Sequence, residues 1–311
     1  MRNTVVVQTS QCGLLSAGFG GLKETEMYQD TSGVALISGA SSSIGAIYAD
    51  RLAHRGYDLV LVARNRRRLD IVSAEIARRT GRKIEVVAAD LTKPADLAMV
   101  EQVLRTNSRI TMLVNNAGIG ATAPLLGSEL DKMSQMIALN VGALTRLTYA
   151  AAPAFVARGV GTIINVASFV AVHPEILNGV YAGTKAFVLA FSRSLNQELS
   201  DKGVRVQVVL PGATATDFWG IAGMPVEHLP AELVMPAGEM VDAALAGLDQ
   251  GELVTLPSLP DLADWKAYES ARQALFPNLS RSSAAYRYRV AGHAAPLKDI
   301  PVLDQSSFPQ T

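Results

Sequence analysis

Ser168, Tyr181 and Lys185 stand in a Ser-x12-Tyr-x3-Lys spacing, and side chains of these types can manage one proton among them. Tyr181 and Lys185 are four residues apart, so on a helix they share a face and their ends can meet. A phenol titrates near pH ~10, too high for acid–base work near neutrality. An ammonium about 4 Å away, at an effective dielectric near ~20, favours the phenolate by up to ~4 kcal/mol. One pKa unit is about 1.4 kcal/mol, so Lys185 is expected to lower Tyr181 by roughly two units after losses to solvent. That poises Tyr181 for general acid–base catalysis. A tyrosine and a lysine at this spacing also make an ordinary helix-surface pair, so the pattern needs company.

The scaffold that must hold these groups is visible from Val34 onward, where short apolar runs alternate with longer amphipathic ones. Strands are expected over 34–38, 58–63, 84–88, 111–114, 162–166, 204–210 and 252–256, and helices over 44–55, 66–80, 94–106, 129–157, 179–201 and 237–250. Strands that read as nearly continuous Val, Ile and Leu, separated by helices, indicate a parallel sheet covered on both faces. The fold class is therefore α/β, with about seven strands. Residues 211–236 contain prolines, break the alternation and read as a mobile lid. A further helix is expected over 261–276, where Trp265, Tyr268 and Phe276 share one face and suit core or subunit packing better than a ligand. Residues 1–32 read as a poorly ordered extension, and Met27 is an alternative start.

Bulk properties exclude several functions. The chain has 311 residues, 49% hydrophobic, with 28 basic and 28 acidic side chains. Zero net charge gives no global attraction to nucleic acid or anionic lipid, and the arginine run at Arg66 to Arg68 lacks interleaved aromatics. Cys12 is the only cysteine, so no intrachain disulfide is expected, which suits a reducing cytoplasm. No apolar run approaches the ~20 residues of a spanning helix, and Gln8 to Gln11 interrupt the apolar Val5 to Val7, so no secretory signal is expected. No metal site is assigned.

One end of the expected sheet carries the signs of a nucleotide. Gly39, Ala40, Ser41, Ser42, Ser43, Ile44 and Gly45 lie between the first strand and its helix. A tight turn there lets backbone N–H groups and a helix N-terminus face a pyrophosphate. An ordinary strand–helix turn with serine caps would use the same residues. Arg64 ends the second strand, 25 residues after Gly39, with no Asp or Glu between Leu59 and Leu69. In a dinucleotide fold an acid at that place binds the 2′-hydroxyl of NAD, whereas an arginine accommodates the 2′-phosphate of NADP. Arg66, Arg67 and Arg68 read mainly as the solvated start of a helix. Asp90-Leu91 and Asn115-Asn116-Ala117-Gly118 close the third and fourth strands, where open α/β sheets bind ligands.

Assembled in order, the glycine turn, Asp90, the Asn-Asn-Ala-Gly run, Asn140, Ser168, Tyr181, Lys185 and Pro211-Gly212 resemble the short-chain dehydrogenase/reductase family from Val34 to Leu256. The resemblance implies a Rossmann-type doubly wound sheet over 33–256, with the lid at 213–236 and the 257–311 helix and tail packed on the same domain. It implies NAD(P)-dependent hydride transfer between an alcohol and a carbonyl, with NADP(H) preferred on the strength of Arg64. By position, Tyr181 is the acid/base, Lys185 lowers its pKa and holds the nicotinamide ribose, and Ser168 orients the substrate oxygen. Asn140 matches a residue that holds a relay water, and Thr216 one that contacts the nicotinamide carboxamide or phosphate. Members commonly form homodimers or homotetramers through the helices carrying Asn140 and Tyr181.

Two departures stand out. Ser43 replaces the middle glycine of Gly-x3-Gly-x-Gly, where its Cβ could crowd the pyrophosphate or its hydroxyl could donate to it. Glu252 to Leu262 lacks the Val-Asp-Gly-Gly-like ending of acyl-carrier-protein ketoreductases. The expected activity is thus a cytoplasmic NADPH-dependent carbonyl reductase or alcohol dehydrogenase for a small, fairly apolar substrate. A 3-oxoacyl reductase is the alternative within enzymes, and a non-catalytic dinucleotide-binding regulator the alternative outside them. Phe169, Val170, Val172, His173, Phe218, Trp219, Ile221 and Met224 are expected to shape the substrate pocket, with His173 equally suited to a solvated loop.

Overall fold

The computed structural model describes residues 33–288. The expectations for residues 1–32, Cys12 and Met27 among them, and for the end of the tail fall outside that range. The strands are Val34–Ser38 (β1), Asp58–Ala63 (β2), Ile84–Ala88 (β3), Ile110–Asn115 (β4), Gly161–Val166 (β5), Val204–Val209 (β6), Thr214–Ala215 (β7), Met235–Pro236 (β8) and Val254–Thr255 (β9). The helices are Ser43–His54 (α1), Arg66–Thr80 (α2), Pro94–Thr106 (α3), Leu130–Ile137 (α4), Leu144–Arg158 (α5), Gly179–Leu199 (α6), Phe218–Ala222 (α7), Ala237–Asp249 (α8) and Leu262–Ala274 (α9). Seven strands form one sheet in the order β3-β2-β1-β4-β5-β6-β9, and every pairing is parallel. This is the doubly wound Rossmann order, and it agrees with the fold class read from the sequence.

The strand chemistry explains the sheet. All residues of β1 and β2 are buried, as Val- and Leu-rich runs without polar alternation demand when both faces are covered. Successive residues of β1 point to opposite faces. Ala35 and Ile37 join the core under α1, α2 and α8 with Tyr48, Leu52, Leu69 and Val241, while Val34 and Leu36 join Val100, Leu104, Leu147 and Phe155 from α3 and α5. Each such aliphatic side chain contributes about 1.5–3 kcal/mol relative to exposure.

The single helix expected over 129–157 is divided by a π-helical turn, Ala138–Ala143, between α4 and α5. The segment 211–236 folds in short pieces, with β7 paired to β8 and α7 between them. A second compact unit begins at Leu259. Within it Asp261 caps α9 by accepting from the Ala263 N–H at 2.8 Å, and the Trp265 and Tyr268 rings stack at 5.0 Å. None of the residues of α9 is buried, so the core-packing expectation for its aromatic face is not met. Among the described residues no helix is long and apolar enough to cross a membrane.

Candidate active site

The strand order reverses between β1 and β4, and that reversal opens a crevice at the carboxyl ends of the strands. A cavity of about 630 Å³ is found there. It is lined by Gly39, Ser41, Ser42, Ser43, Ile44 and Gly45 after β1, Arg64 after β2, Asp90 and Leu91 after β3, and Asn116, Ala117 and Gly118 after β4. Ser168 after β5, Tyr181 and Lys185 on α6, and Pro211, Gly212 and Thr216 after β6 complete it. Thus every residue assigned a catalytic or cofactor-binding role from the sequence lines one cavity except Asn140, which is buried behind Gly118.

The turn after β1 is built by close approach. Gly39 has φ +70°, and a Cβ on it would lie 2.8 Å from Asn116 Nδ2 and 2.9 Å from the Ala117 backbone. Gly45 is tighter still, since a Cβ would meet the Gly39 carbonyl oxygen at 2.3 Å. Asn116 Nδ2 pins this turn by donating to the Ser38 carbonyl at 3.0 Å and the Gly39 carbonyl at 3.2 Å. Ser42, at the N-cap of α1, makes no side-chain capping bond, so the first amides of the helix are left to a ligand. Ser43 sits at φ +49°, the one residue other than glycine in the left-handed region among those described. The glycine that Ser43 replaces would hold this conformation without steric cost.

At the ends of β2 and β3 the cavity wall is basic. Arg64, Asn65 and Arg68 line it together with Thr92 and Lys93. Arg66 is drawn away into a pair with Asp70 at 2.8 Å, whereas Arg68, in the first turn of α2, lines the same cavity as Arg64. Asn65 caps α2, accepting from the Arg68 N–H at 3.0 Å. Burial works against the charge of Asp90, but hydrogen bonds from the Thr92 hydroxyl (2.7 Å) and N–H (3.0 Å), with Arg64 and Lys93 nearby, outweigh it and hold the carboxyl below its usual range. A dinucleotide with an extra phosphate fits this donor set: open helix amides at one place and two guanidinium groups at another.

The proton-handling group lies where β5 meets α6. Asn178 starts α6 by accepting from the Val180 and Tyr181 N–H groups at 2.9 and 3.2 Å, and its Nδ2 donates to the Ala123 carbonyl at 2.7 Å and to Ser128 Oγ at 3.0 Å. Lys185 Nζ donates to the Val166 carbonyl at 2.9 Å and lies 5.8 Å from the centre of the Tyr181 ring. Ser168, Tyr181 and Lys185 are all buried. Burial pushes the Tyr181 phenol up to about 12, with a hydrogen bond from Ser168 pulling the other way. Burial also brings the Lys185 ammonium down to about 8. The expectation of a Tyr181 phenol poised below its ordinary value is therefore corrected. The ammonium is committed to a carbonyl, and its attraction for the phenolate is outweighed by the cost of burying that charge.

Asn140 lies in the π-helical turn with both side-chain donors engaged, one to the Ile119 carbonyl at 2.8 Å and one to Thr184 Oγ1 at 3.1 Å. Its Oδ1 accepts from the Ile119 N–H at 3.0 Å. On the substrate side Phe169, Phe218, Trp219 and Ile221 line the cavity, joined by Ile119, Gln135, Leu139 and Leu177. Val170 is instead packed in an apolar cluster with Met133, Met136 and Tyr181. Val172, His173 and Met224 do not line the cavity, and exposed His173 pairs with Glu175 at 3.2 Å. Arg68 and Asn178 were missed from sequence. The N-cap preference for asparagine would have flagged the second, whereas the first stands in an arginine run that reads as a solvated helix start.

Comparison with known proteins agrees with this geometry. Residues 33–222 match the family described as short chain dehydrogenase. Among curated proteins, 17-beta-hydroxysteroid dehydrogenase type 3 of Rattus norvegicus is 36% identical over 186 residues, 58% of this chain and 60% of that protein. Very-long-chain 3-oxoacyl-CoA reductase of Anas platyrhynchos is 34% identical over 186 residues, again 58% of this chain and 60% of the relative. The chain thus matches about 60% of the length of these relatives. Among solved structures, a short-chain dehydrogenase from Sphingobium yanoikuyae in complex with NADPH is 49% identical, with TM-score 0.80 over 83% of this chain and 100% of that one. The bulky-bulky ketone specific alcohol dehydrogenase from Comamonas testosteroni is 42% identical, with TM-score 0.76 over 82% of this chain and 98% of its own.

Proposed function

The chain belongs to the short-chain dehydrogenase family, and from that premise we propose that it is an NADP(H)-dependent oxidoreductase that reduces an apolar ketone to an alcohol, with Tyr181 as the acid. The observation that carries this reading is the buried Ser168, Tyr181 and Lys185 group opening on the same cavity as Arg64 and Arg68. Arg64 and Arg68 would hold the 2′-phosphate, and the turn from Gly39 to Gly45 the pyrophosphate. When bound, the reduced nicotinamide supplies the hydride.

The remaining chemistry belongs to side chains of this protein. The Ser168 and Tyr181 hydroxyls donate to the substrate carbonyl oxygen, and they bind it more strongly as it becomes alkoxide-like. Tyr181 then gives its proton to that oxygen. A phenol held up near 12 is protonated at neutral pH, which is the form reduction needs. Lys185, fixed on the Val166 carbonyl, places a charge beside the phenolate left behind. The apolar Ile119, Leu139, Phe169, Leu177 and Phe218 exclude water and favour a hydrophobic substrate. Assembly as a homodimer or homotetramer is supported by an aromatic row on α5 and α6, where exposed Tyr149 stacks on half-buried Phe191 at 6.5 Å and Phe191 on exposed Phe187 at 5.6 Å.

The test is NADPH oxidation with a panel of ketones, aldehydes and 3-oxoacyl thioesters, in wild type and Tyr181→Phe. Turnover of ketones should fall about 10²–10⁴-fold in the variant while NADPH still binds. Unchanged turnover in Tyr181→Phe removes the acid assignment. Absence of turnover with any carbonyl, despite tight NADPH binding, would favour a dinucleotide-binding regulator.

A further inference from the structure

We propose that Phe218 sets how large a group on the substrate carbonyl the site accepts, and that Gly120 is the seat for its ring. The inference rests on the carbonyl–alcohol reading above and adds to it a residue that decides specificity.

Gly120 does not have a positive φ, so its backbone conformation does not demand glycine. What demands it is the ring. A Cβ on Gly120 would lie 2.1 Å from Phe218 Cζ and 2.6 Å from Cε2, so the ring fills the place a side chain would take. The same ring lies 5.6 Å from the Tyr181 ring, tilted by 45°, and 5.6 Å from the Trp219 ring, edge-on. The helix that carries it, α7, is tied down through Ala222 and Trp219. The Ala222 carbonyl accepts from the Thr122 N–H at 3.1 Å and from its hydroxyl at 2.9 Å, and buried Trp219 Nε1 donates to the Thr214 carbonyl at 3.0 Å. A lid helix and the segment after β4 are therefore fastened together, with one aromatic ring wedged between them beside the acid.

The geometry has a direct consequence for specificity. A carbonyl bonded to the Tyr181 hydroxyl brings its substituents alongside the neighbouring ring, and Phe218 lines that part of the cavity. Removing the ring enlarges the wall, whereas adding a methyl at Gly120 drives the ring off its seat and into the cavity. The two positions act as one unit, so their effects should not add.

The experiment compares acetophenone with benzophenone, which differ in replacing a methyl by a phenyl group. In Phe218→Ala the benzophenone-to-acetophenone ratio of kcat/KM should rise about tenfold or more, and in Gly120→Ala it should fall. The Gly120→Ala/Phe218→Ala double variant should return to the ratio of Phe218→Ala. Phe218→Leu, a smaller change, stands in where the alanine variant does not fold and should raise the ratio in the same direction. Calorimetric titration of each ketone into the protein–NADP+ complex, where no turnover occurs, should give the same order of Kd ratios. Ratios within about twofold of wild type in every variant, with both ketones weakened in parallel, make Phe218 a purely structural residue and overturn the proposal. Failure of wild type to reduce these ketones or any other carbonyl of the panel, with Kd ratios still shifting as stated, refutes the reductase reading and leaves the Phe218 assignment standing. Binding of neither ketone to any variant overturns the Phe218 assignment and leaves the reductase reading to the carbonyl panel.

Discussion

Removing Arg64 should cost NADPH much more than NADH. Arg64 ends β2 on the cavity wall, and Arg68 faces the same space from the first turn of α2. Both side chains are exposed, so solvent weakens each interaction with a phosphate. A charge-assisted hydrogen bond to a phosphate contributes about 1.5–3 kcal/mol. For Arg64→Gln, a loss of about 2–3 kcal/mol corresponds to NADPH binding weakened roughly 30- to 150-fold at low salt. Arg68 stands on a solvated helix face, and Arg68→Gln should cost about 1 kcal/mol, roughly fivefold. NADH carries no 2′-phosphate, so its Kd should change less than about twofold in either variant. Fluorescence titration with both nucleotides, at low and high ionic strength, measures this directly, and the NADPH advantage should shrink as salt rises. Equal weakening of NADPH and NADH, or a wild type that binds both alike, would refute the reasoning while leaving the fold untouched.

Three further outcomes follow from particular residues. Ser43→Gly relieves a left-handed serine worth about 1–2 kcal/mol and loses about 0.5–1 kcal/mol to the freer unfolded chain, so a net gain of about 0.5–1 kcal/mol is expected. Thermal unfolding should rise by about 1–3 °C, and a lower Tm would show that the serine hydroxyl holds the turn. Asn178→Ala removes the cap of α6 and the tie to Ala123 and Ser128, which should lower stability by about 1–2 kcal/mol in a denaturant titration. Cofactor-free Tyr181→Phe and wild type should show the same tyrosinate absorption at neutral pH and diverge only as pH approaches about 12. The folded pKa is raised above its ordinary 10.0, so the associated stability is present below pH 10.0 and lost between 10.0 and about 12.

Much of this molecule is legible in its sequence because strands buried on both faces leave little ambiguity. The fully buried runs at 34–38 and 58–63 became β1 and β2 with the same bounds, and the run at 84–88 became the edge strand β3, where none of the residues is buried. The cavity lining was legible for a related reason. Ligands of an open parallel sheet meet residues just past the strand ends, and those positions can be counted once the strands are known. What the sequence hides is surroundings. Whether Val170 faces the cavity or the core depends on a short 3-10 turn, Phe169–Ala171, that no periodicity announces. The Gly120 and Phe218 pairing joins residues almost a hundred positions apart, and neither is unusual by itself. The π-turn at Asn140 is equally silent, since Ala138 to Ala143 read as plain helix.

The misjudged pKa shows how a dry site changes the task of its lysine. Taken at a separation of about 4–6 Å and a dielectric near ~20, the attraction between ammonium and phenolate is about 3–4 kcal/mol, or roughly two to three pKa units. Full burial can raise a phenol by up to about 3–5 units, so desolvation wins and the proton stays on Tyr181. The same burial lowers the lysine, yet only to about 8, which leaves it charged at neutral pH. Lys185 therefore does not prepare a base. It stands ready to stabilise the phenolate at the moment the proton has left, while its bond to the Val166 carbonyl keeps it from drifting away. Such a pair makes the two directions differ in their pH dependence. Reduction begins from the protonated phenol present at neutral pH, whereas oxidation of an alcohol must first create the buried anion and should gain from alkaline conditions.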